Sequence, residues 1–229
     1  MTSSTIDRIL DAAEAEFAAH GFVETSLRTI TTKANVNLAA VNYHFGSKKG
    51  LIQAVTDRFL APLTQILKTK LSSYEKQPKD NTNSQQELQQ LFTILAQSCH
   101  QVASNNHHSL AVFARLINMA YSQSQGHLRK HLTYHYGASF LYFMKLLRDH
   151  MPAMTNEQFF WRFHYLLGSL VFALSSSEAL MAICEREYES SRNVEQIMSD
   201  IVLVMASAAL APLVTEKVTS EKVTGEKEA

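Results

Sequence analysis

The sequence predicts an all-α protein of about nine helices, and three observations carry that prediction. Glycine and proline are scarce, 7 and 4 in 229 residues, while Ala, Leu, Gln, Lys, Glu and Met are plentiful, which leaves few of the turns an all-β chain needs. Apolar residues recur at spacings of three and four rather than alternating. Ser, Thr or Asn stands directly before several of these periodic runs, where a helix N-terminus wants a side-chain acceptor. The length suits a small domain fused to a medium one.

Along 5–20, Ile6, Ile9, Leu10, Ala13 and Phe17 repeat with helical period, and Gly21 ends the run. Thr25 and Ser26 are caps for a short second helix with Leu27, Ile30 and Ala34 inward. Residues 35–37 make a tight turn. Asn37 caps a third short helix, 38–44, with Leu38, Val41 and Phe45 inward, before Phe45 and Gly46 close it. Ser47 then caps a long helix over 48–74, with Leu51, Val55, Phe59 and Leu63 on one face. The polar stretch 74–86 reads as a loop. Five further helices are expected over 84–104, 107–123, 126–150, 156–188 (with a break near Ser175) and 193–213. The tail, 214–229, repeats Glu-Lys-Val-Thr-like units without aromatics and is expected to be disordered.

Lysine plus arginine equals aspartate plus glutamate, 21 against 21, so global charge gives no support to nucleic-acid binding. The local distribution does. Residues 25–56 contain Arg28, Lys33, Lys48 and Lys49 and no acidic residue, whereas 1–24 carry five acidic residues against Arg8. This asymmetry suits a phosphate-facing surface. Cys99 and Cys184 show no paired-ligand spacing and fit buried thiols in a reducing cytoplasm. The N-terminus has no signal-peptide pattern, and the longest apolar runs, 163–174 and 201–214, fall short of the roughly 20 residues of a membrane span. A cytoplasmic protein with no membrane segment is expected.

Two short helices joined by a three-residue turn form a helix-turn-helix, whose second helix enters the DNA major groove. That helix is 38–44. Asn37, Ala39, Asn42 and Tyr43 would face outward, offering amide groups to base edges, a methyl to thymine and a hydroxyl to phosphate, with His44 a further cation. The other reading of Tyr43 and His44 is core packing. Lys48 would reach a phosphate at the N-terminus of the next helix, and Thr25, Ser26 and Arg28 would hold the DNA backbone from the other side.

These residues also carry a resemblance. Ile-Leu-Asp-Ala-Ala-Glu from Ile9, Phe-Ala-Ala-His-Gly-Phe from Phe17, Thr-Ser-Leu-Arg-Thr-Ile from Thr25 and Val-Asn-Tyr-His-Phe-Gly-Ser-Lys-Lys-Gly-Leu from Val41 resemble the N-terminal signature of the TetR family. The resemblance implies an all-α homodimer with a DNA-binding domain over 1–50, a connecting helix over 47–74 and an effector-binding and dimerisation domain over 75–213. It further implies repression at a palindromic double-stranded operator, relieved by a small molecule. A narrower resemblance, to PsrA-type regulators of fatty-acid metabolism, rests on Val-Asn-Leu-Ala-Ala-Val-Asn-Tyr-His-Phe-Gly-Ser-Lys-Lys from Val36 and Ser-Gln-Ser-Gln-Gly-His-Leu-Arg-Lys from Ser122. It implies a long-chain fatty acid or acyl-CoA as effector and fatty-acid metabolism genes as targets. The alternative is a regulator of efflux or stress genes that answers another hydrophobic ligand.

Aromatic and methionine side chains are abundant after Ser84, and such walls suit an acyl chain as well as they suit ordinary core. Phe113, Met119, Phe140, Met144, Trp161 and His164 are the candidate lining, with Arg115 and Arg148 as cations for a head group. Arg162 sits in a similar apolar stretch, and all three arginines have the alternative of snorkelling to solvent. His127, His131 and His135 recur every four residues, but this spacing drifts around a straight helix and lacks a carboxylate or Cys companion, so no metal site is assigned. A small helical metal-dependent enzyme is the reading from another class. No nucleophile elbow, phosphate loop or His-Glu-x-x-His helix supports it, and neither catalytic residues nor a cofactor are expected. The last two helices are apolar around much of their circumference. Gly168, Ser169, Ala173, Ala206, Ala208 and Ala209 are their small residues, and together the two helices predict a four-helix dimer interface.

Overall fold

The computed structural model describes residues 4–78, 82–106 and 109–213. Among them there are ten α-helices and no strand. The helices are α1 (Thr5–Glu24), α2 (Leu27–Ala34), α3 (Leu38–Phe45), α4 (Lys48–Glu75), α5 (Ser84–Asn106), α6 (Leu110–Ala120), α7 (Gly126–Asp149), α8 (Asn156–Ser175), α9 (Ser177–Tyr188) and α10 (Val194–Ala209). The expected start of the sixth helix at His107 and the tail 214–229 lie outside the described residues.

Capping chemistry sets most of the boundaries. Ser4, Ser26, Asn37, Ser47, Ser109, Thr155 and Asn193 each accept a hydrogen bond from the backbone N–H three residues on, using up one donor the helix cannot satisfy internally. Thr155 with Gln158 and Asn193 with Gln196 complete reciprocal capping boxes. Helix α1 leaves helical geometry at Gly21, where φ is +75°, and then turns once more to Glu24. The expected helix over 156–188 is two helices bent by 68° at Ser176, and Arg115 on α6 donates from Nε to the Ser175 carbonyl at 3.1 Å. That bond satisfies an acceptor which the break leaves outside the helical ladder. Among the described residues no single helix is long and apolar enough to cross a membrane.

Three apolar clusters run up the molecule. The lowest unites Ile9, Phe17, Ile30, Val41, Leu51 and Val55 of the N-terminal helices with Leu116, Ala120 and Leu128 of α6 and α7. The middle one joins α4 to α5, α6, α8 and α10 through Phe59, Leu63, Val102, Ala114, Leu174 and Met198. The upper joins α4, α5, α7, α8 and α10 around Leu71, Leu88, Phe143 and Ala206. Helix α4 contributes to all three and therefore spans the molecule from the N-terminal bundle to its far end.

Candidate nucleic-acid interface

Helices α2 and α3 are joined by Asn35 in the left-handed region, φ +51°, which an asparagine tolerates better than a branched residue. One fully buried residue, Val41, anchors α3, and Phe45 is half-buried. Ala39, Asn42, Tyr43 and His44 are exposed, Tyr43 by 86%. The Tyr43 and His44 rings meet edge to face with centroids 5.0 Å apart, so the pair is braced on the surface. Leu38, expected inward, is 42% exposed. Asn37 is exposed, and its Oδ1 accepts from Ala40 N–H at 2.9 Å, leaving the amide nitrogen directed away from the cap.

The turn into α4 depends on Gly50. A Cβ there would lie 2.1 Å from the Phe45 carbonyl oxygen, so only glycine lets α4 start this close to the end of α3. Gly46, φ +70°, makes the preceding reversal, and Ser47 caps α4. The geometry ties the third helix directly to the connecting helix.

The cations behave differently from one another. Lys33, itself exposed, pairs with Glu16, which is 3% exposed, so its ammonium group is engaged by a buried carboxylate. Lys48 donates from Nζ to the Val23 carbonyl at 3.2 Å and stands 4.5 Å from the Phe22 ring centroid. Burial pulls its pKa below the usual lysine value, a pull that the Glu24 charge partly offsets. Lys48 therefore braces α4 on the end of α1. Arg28, Lys33 and Lys49 are exposed in the acid-free window, Lys33 being paired with Glu16, and Lys49 is absent from the sequence-derived contact set although its position beside Lys48 was the available signal. Ser26 is exposed and accepts from Thr29 N–H at 3.0 Å. Thr25 is a correction: it is 3% exposed, and its hydroxyl donates to the carbonyls of Gly21 at 2.7 Å and Glu16 at 3.1 Å. It closes the kinked end of α1 and presents no side chain to DNA.

The eight candidate effector residues occupy different surroundings among the described residues. Phe113 stacks on Phe59 with centroids 3.6 Å apart, Phe140 packs on the middle cluster and Met119 on the lowest. Met144 is half-buried on α7. Arg115 is engaged by Ser175 and Glu178 at the α8–α9 bend. Arg148 donates to Asn156 Oδ1 at 2.8 Å and to the Met154 carbonyl at 3.0 Å while lying over Phe159, so it closes the α7–α8 connection. Arg162 donates to the carbonyls of Ala209 and Pro212 and caps α10. Trp161 is 51% exposed on the outer face of α8, and His164 Nδ1 lies 2.7 Å from the Phe160 carbonyl oxygen. Two surface hollows, about 540 Å³ beside Ser190 to Asp200 and about 330 Å³ between the ends of α5, α6, α9 and α10, include none of the eight.

The α7 histidines have separate partners. His127 packs on Phe22, His131 Nε2 lies 2.8 Å from Asp57 Oδ1, and His135 packs against His131. No group of three or more metal-capable side chains occurs among the described residues.

A capped helix-turn-helix on a long connecting helix, followed by a larger helical domain, defines a class: the one-component DNA-binding regulators. Residues 9–55 match the family described as bacterial regulatory proteins, tetR family, and residues 94–208 match the tetracyclin repressor-like C-terminal domain. The chain belongs to the TetR family of transcriptional regulators. It is 33% identical over 113 residues to "Probable HTH-type transcriptional regulator YttP" of Bacillus subtilis, covering 49% of this chain and 50% of that protein. It is 42% identical over 59 residues to the HTH-type transcriptional repressor Rv3405c of Mycobacterium tuberculosis, covering 26% and 31%. The chain thus spans half or less of the curated relatives it matches. Among solved structures, an HlyIIR mutant superposes with a TM-score of 0.57 at 16% identity, covering 93% of this chain and all of that one. The fatty acid degradation regulator FadR of Bacillus halodurans gives 0.57 at 15% identity, covering 93% and 98%. At such identities the likeness is one of fold.

Proposed function

We propose that the chain is a homodimeric repressor that binds a palindromic operator through α3 and is released by a hydrophobic effector, a long-chain fatty acid or its acyl-CoA. One observation carries the DNA part: a capped α3 anchored by Val41 that turns Ala39, Asn42, Tyr43 and His44 outward together. Such a set supplies base-edge donors and acceptors, a methyl for thymine and a phosphate-directed hydroxyl. Asn37, Ser26, Arg28 and Lys49 flank it.

Two copies are needed because a palindrome presents two half-sites about one helical turn apart. Support comes from the outer faces of α8 and α10, where Phe160, Trp161, Tyr165 and Phe172 lie exposed on one helix and Leu203 and Val204 on the other. Gly168, Ser169 and Ala208 are exposed among them, which favours close helix approach. Ala206 and Ala209 are fully buried within their own subunit and so pack α10 on its own core rather than on a partner.

The fatty-acid effector rests on the PsrA-type resemblance of residues 36–49 and 122–130. In this reading the acyl chain enters by parting the aromatic layer around Phe113 and Phe140, and the shift of α4 changes the spacing of the two α3 helices. A gel shift on the DNA upstream of the chain's own gene tests both parts. Binding that palmitoyl-CoA or palmitate abolishes is the expected result. Binding undiminished at saturating lipid overturns the effector assignment and leaves the operator assignment intact.

A further inference from the structure

The α7 histidines lie along the junction between the C-terminal helices and the DNA-binding bundle. His127 packs on Phe22 of α1. One turn on, His131 meets Asp57 of α4 at 2.8 Å, and Tyr136 donates its hydroxyl to the same carboxylate oxygen at 2.7 Å. Two donors from α7 therefore converge on one acceptor of α4. Burial and the Asp57 charge raise the Tyr136 pKa, so the hydroxyl keeps its proton and stays a donor. His135 packs on His131 with ring centroids 4.5 Å apart and planes tilted by 48°.

The next residue of α4 turns the other way. Arg58 donates to Asp11 of α1 at 2.7 Å and lies 3.7 Å from Glu14. Adjacent residues of one helix thus grip different parts of the molecule, Asp57 the C-terminal helices and Arg58 the DNA-binding bundle. Four residues later comes Pro62, which has no N–H to give the Arg58 carbonyl, so the helical ladder lacks a rung just beyond the grip. Any displacement of α7 along or away from α4 must break or drag the Asp57 contacts, and Arg58 carries that displacement into α1.

We propose that Asp57 is a positioning residue for operator binding: held by His131 and Tyr136, it sets where α4 rides on α7 and, through Arg58, the angle at which α1 to α3 meet DNA. The proposal rests on the operator-binding reading above. It differs from a merely structural role because it assigns the effect to an acceptor oxygen rather than to packing.

The test uses the full chain with Asp57→Ala, Asp57→Asn, Tyr136→Phe and the Asp57→Ala/Tyr136→Phe double variant, measuring affinity for the upstream DNA and amide exchange along α4. Asp57→Ala and Tyr136→Phe should each weaken DNA binding about tenfold, the scale of one or two lost hydrogen bonds, and speed exchange near Asp57. The double variant should fall no further than Asp57→Ala, and Asp57→Asn, which keeps the acceptor oxygen, should stay within about threefold of wild type. Equal losses in Asp57→Asn and Asp57→Ala, additive losses in the double variant, or unchanged affinity and exchange in Asp57→Ala and Tyr136→Phe would overturn the proposal. If the wild type fails to bind while both single variants still accelerate exchange on α4, the operator reading falls and the mechanical link between α7 and α4 stands.

Discussion

Tyr43, a large aromatic 86% exposed on a one-anchor helix, stabilises the fold little where it stands. Its replacement by alanine is expected to lower operator affinity roughly tenfold, about the worth of a phosphate hydrogen bond plus its ring contact, with no change in thermal midpoint. The two neighbouring lysines should separate. Lys49→Ala is expected to flatten the dependence of affinity on salt by about one charge, whereas Lys48→Ala should loosen the α1–α4 contact that Val23 and Phe22 make with it. Lys33→Met should destabilise the bundle by about 2 kcal/mol, because it leaves the buried Glu16 carboxylate without its partner. Chemical denaturation measures the last effect. At this scale the sequence was only partly legible: the acid-free window was visible, but the Lys33–Glu16 pairing spans 17 positions. Helical periodicity says nothing about such a contact.

The elements were the most legible level. Short polar caps fix the starts of α2, α3 and α4, and their chemistry is local, so reading Ser26, Asn37 and Ser47 in order was enough. The break near Ser175 was likewise visible, while the 68° bend and the Arg115 hydrogen bond it receives from another helix were not. Residue type alone does not separate an effector lining from ordinary core: Phe113, Phe140 and Trp161 all suit an apolar wall, yet Phe113 stacks on Phe59, Phe140 packs on the middle cluster and Trp161 is half exposed. Gly50 sets the strongest element-level constraint. Gly50→Ala puts a methyl against the Phe45 carbonyl and should weaken DNA binding by shifting α3 relative to α4, with helical content preserved in circular dichroism.

Helix α4 packs in all three apolar clusters, and beside its lower end His127 of α7 meets Phe22 of α1. Burial at the Phe22 contact, and secondarily the Lys49 charge, hold the His127 pKa below the ordinary histidine value. A depressed histidine pKa means that the folded state favours the neutral ring. The stabilisation is therefore fully present above about pH 6.5 and is lost as pH falls through the lower folded value. The difference in thermal midpoint between wild type and His127→Phe, followed downward from neutral pH, should change in that window, the variant losing less. At the same scale, Tyr165→Arg combined with Phe172→Arg should yield monomers in sedimentation velocity and abolish operator binding while each subunit stays folded.

The central claim, that the exposed face of α3 reads DNA, is tested most directly by quantitative footprinting of wild type and Tyr43→Ala on the DNA upstream of the gene. The wild type is expected to give a two-fold symmetric protected site and the variant an affinity loss of about tenfold, with dimerisation and fold unchanged. A variant that protects the same site at the same concentration as wild type would contradict it.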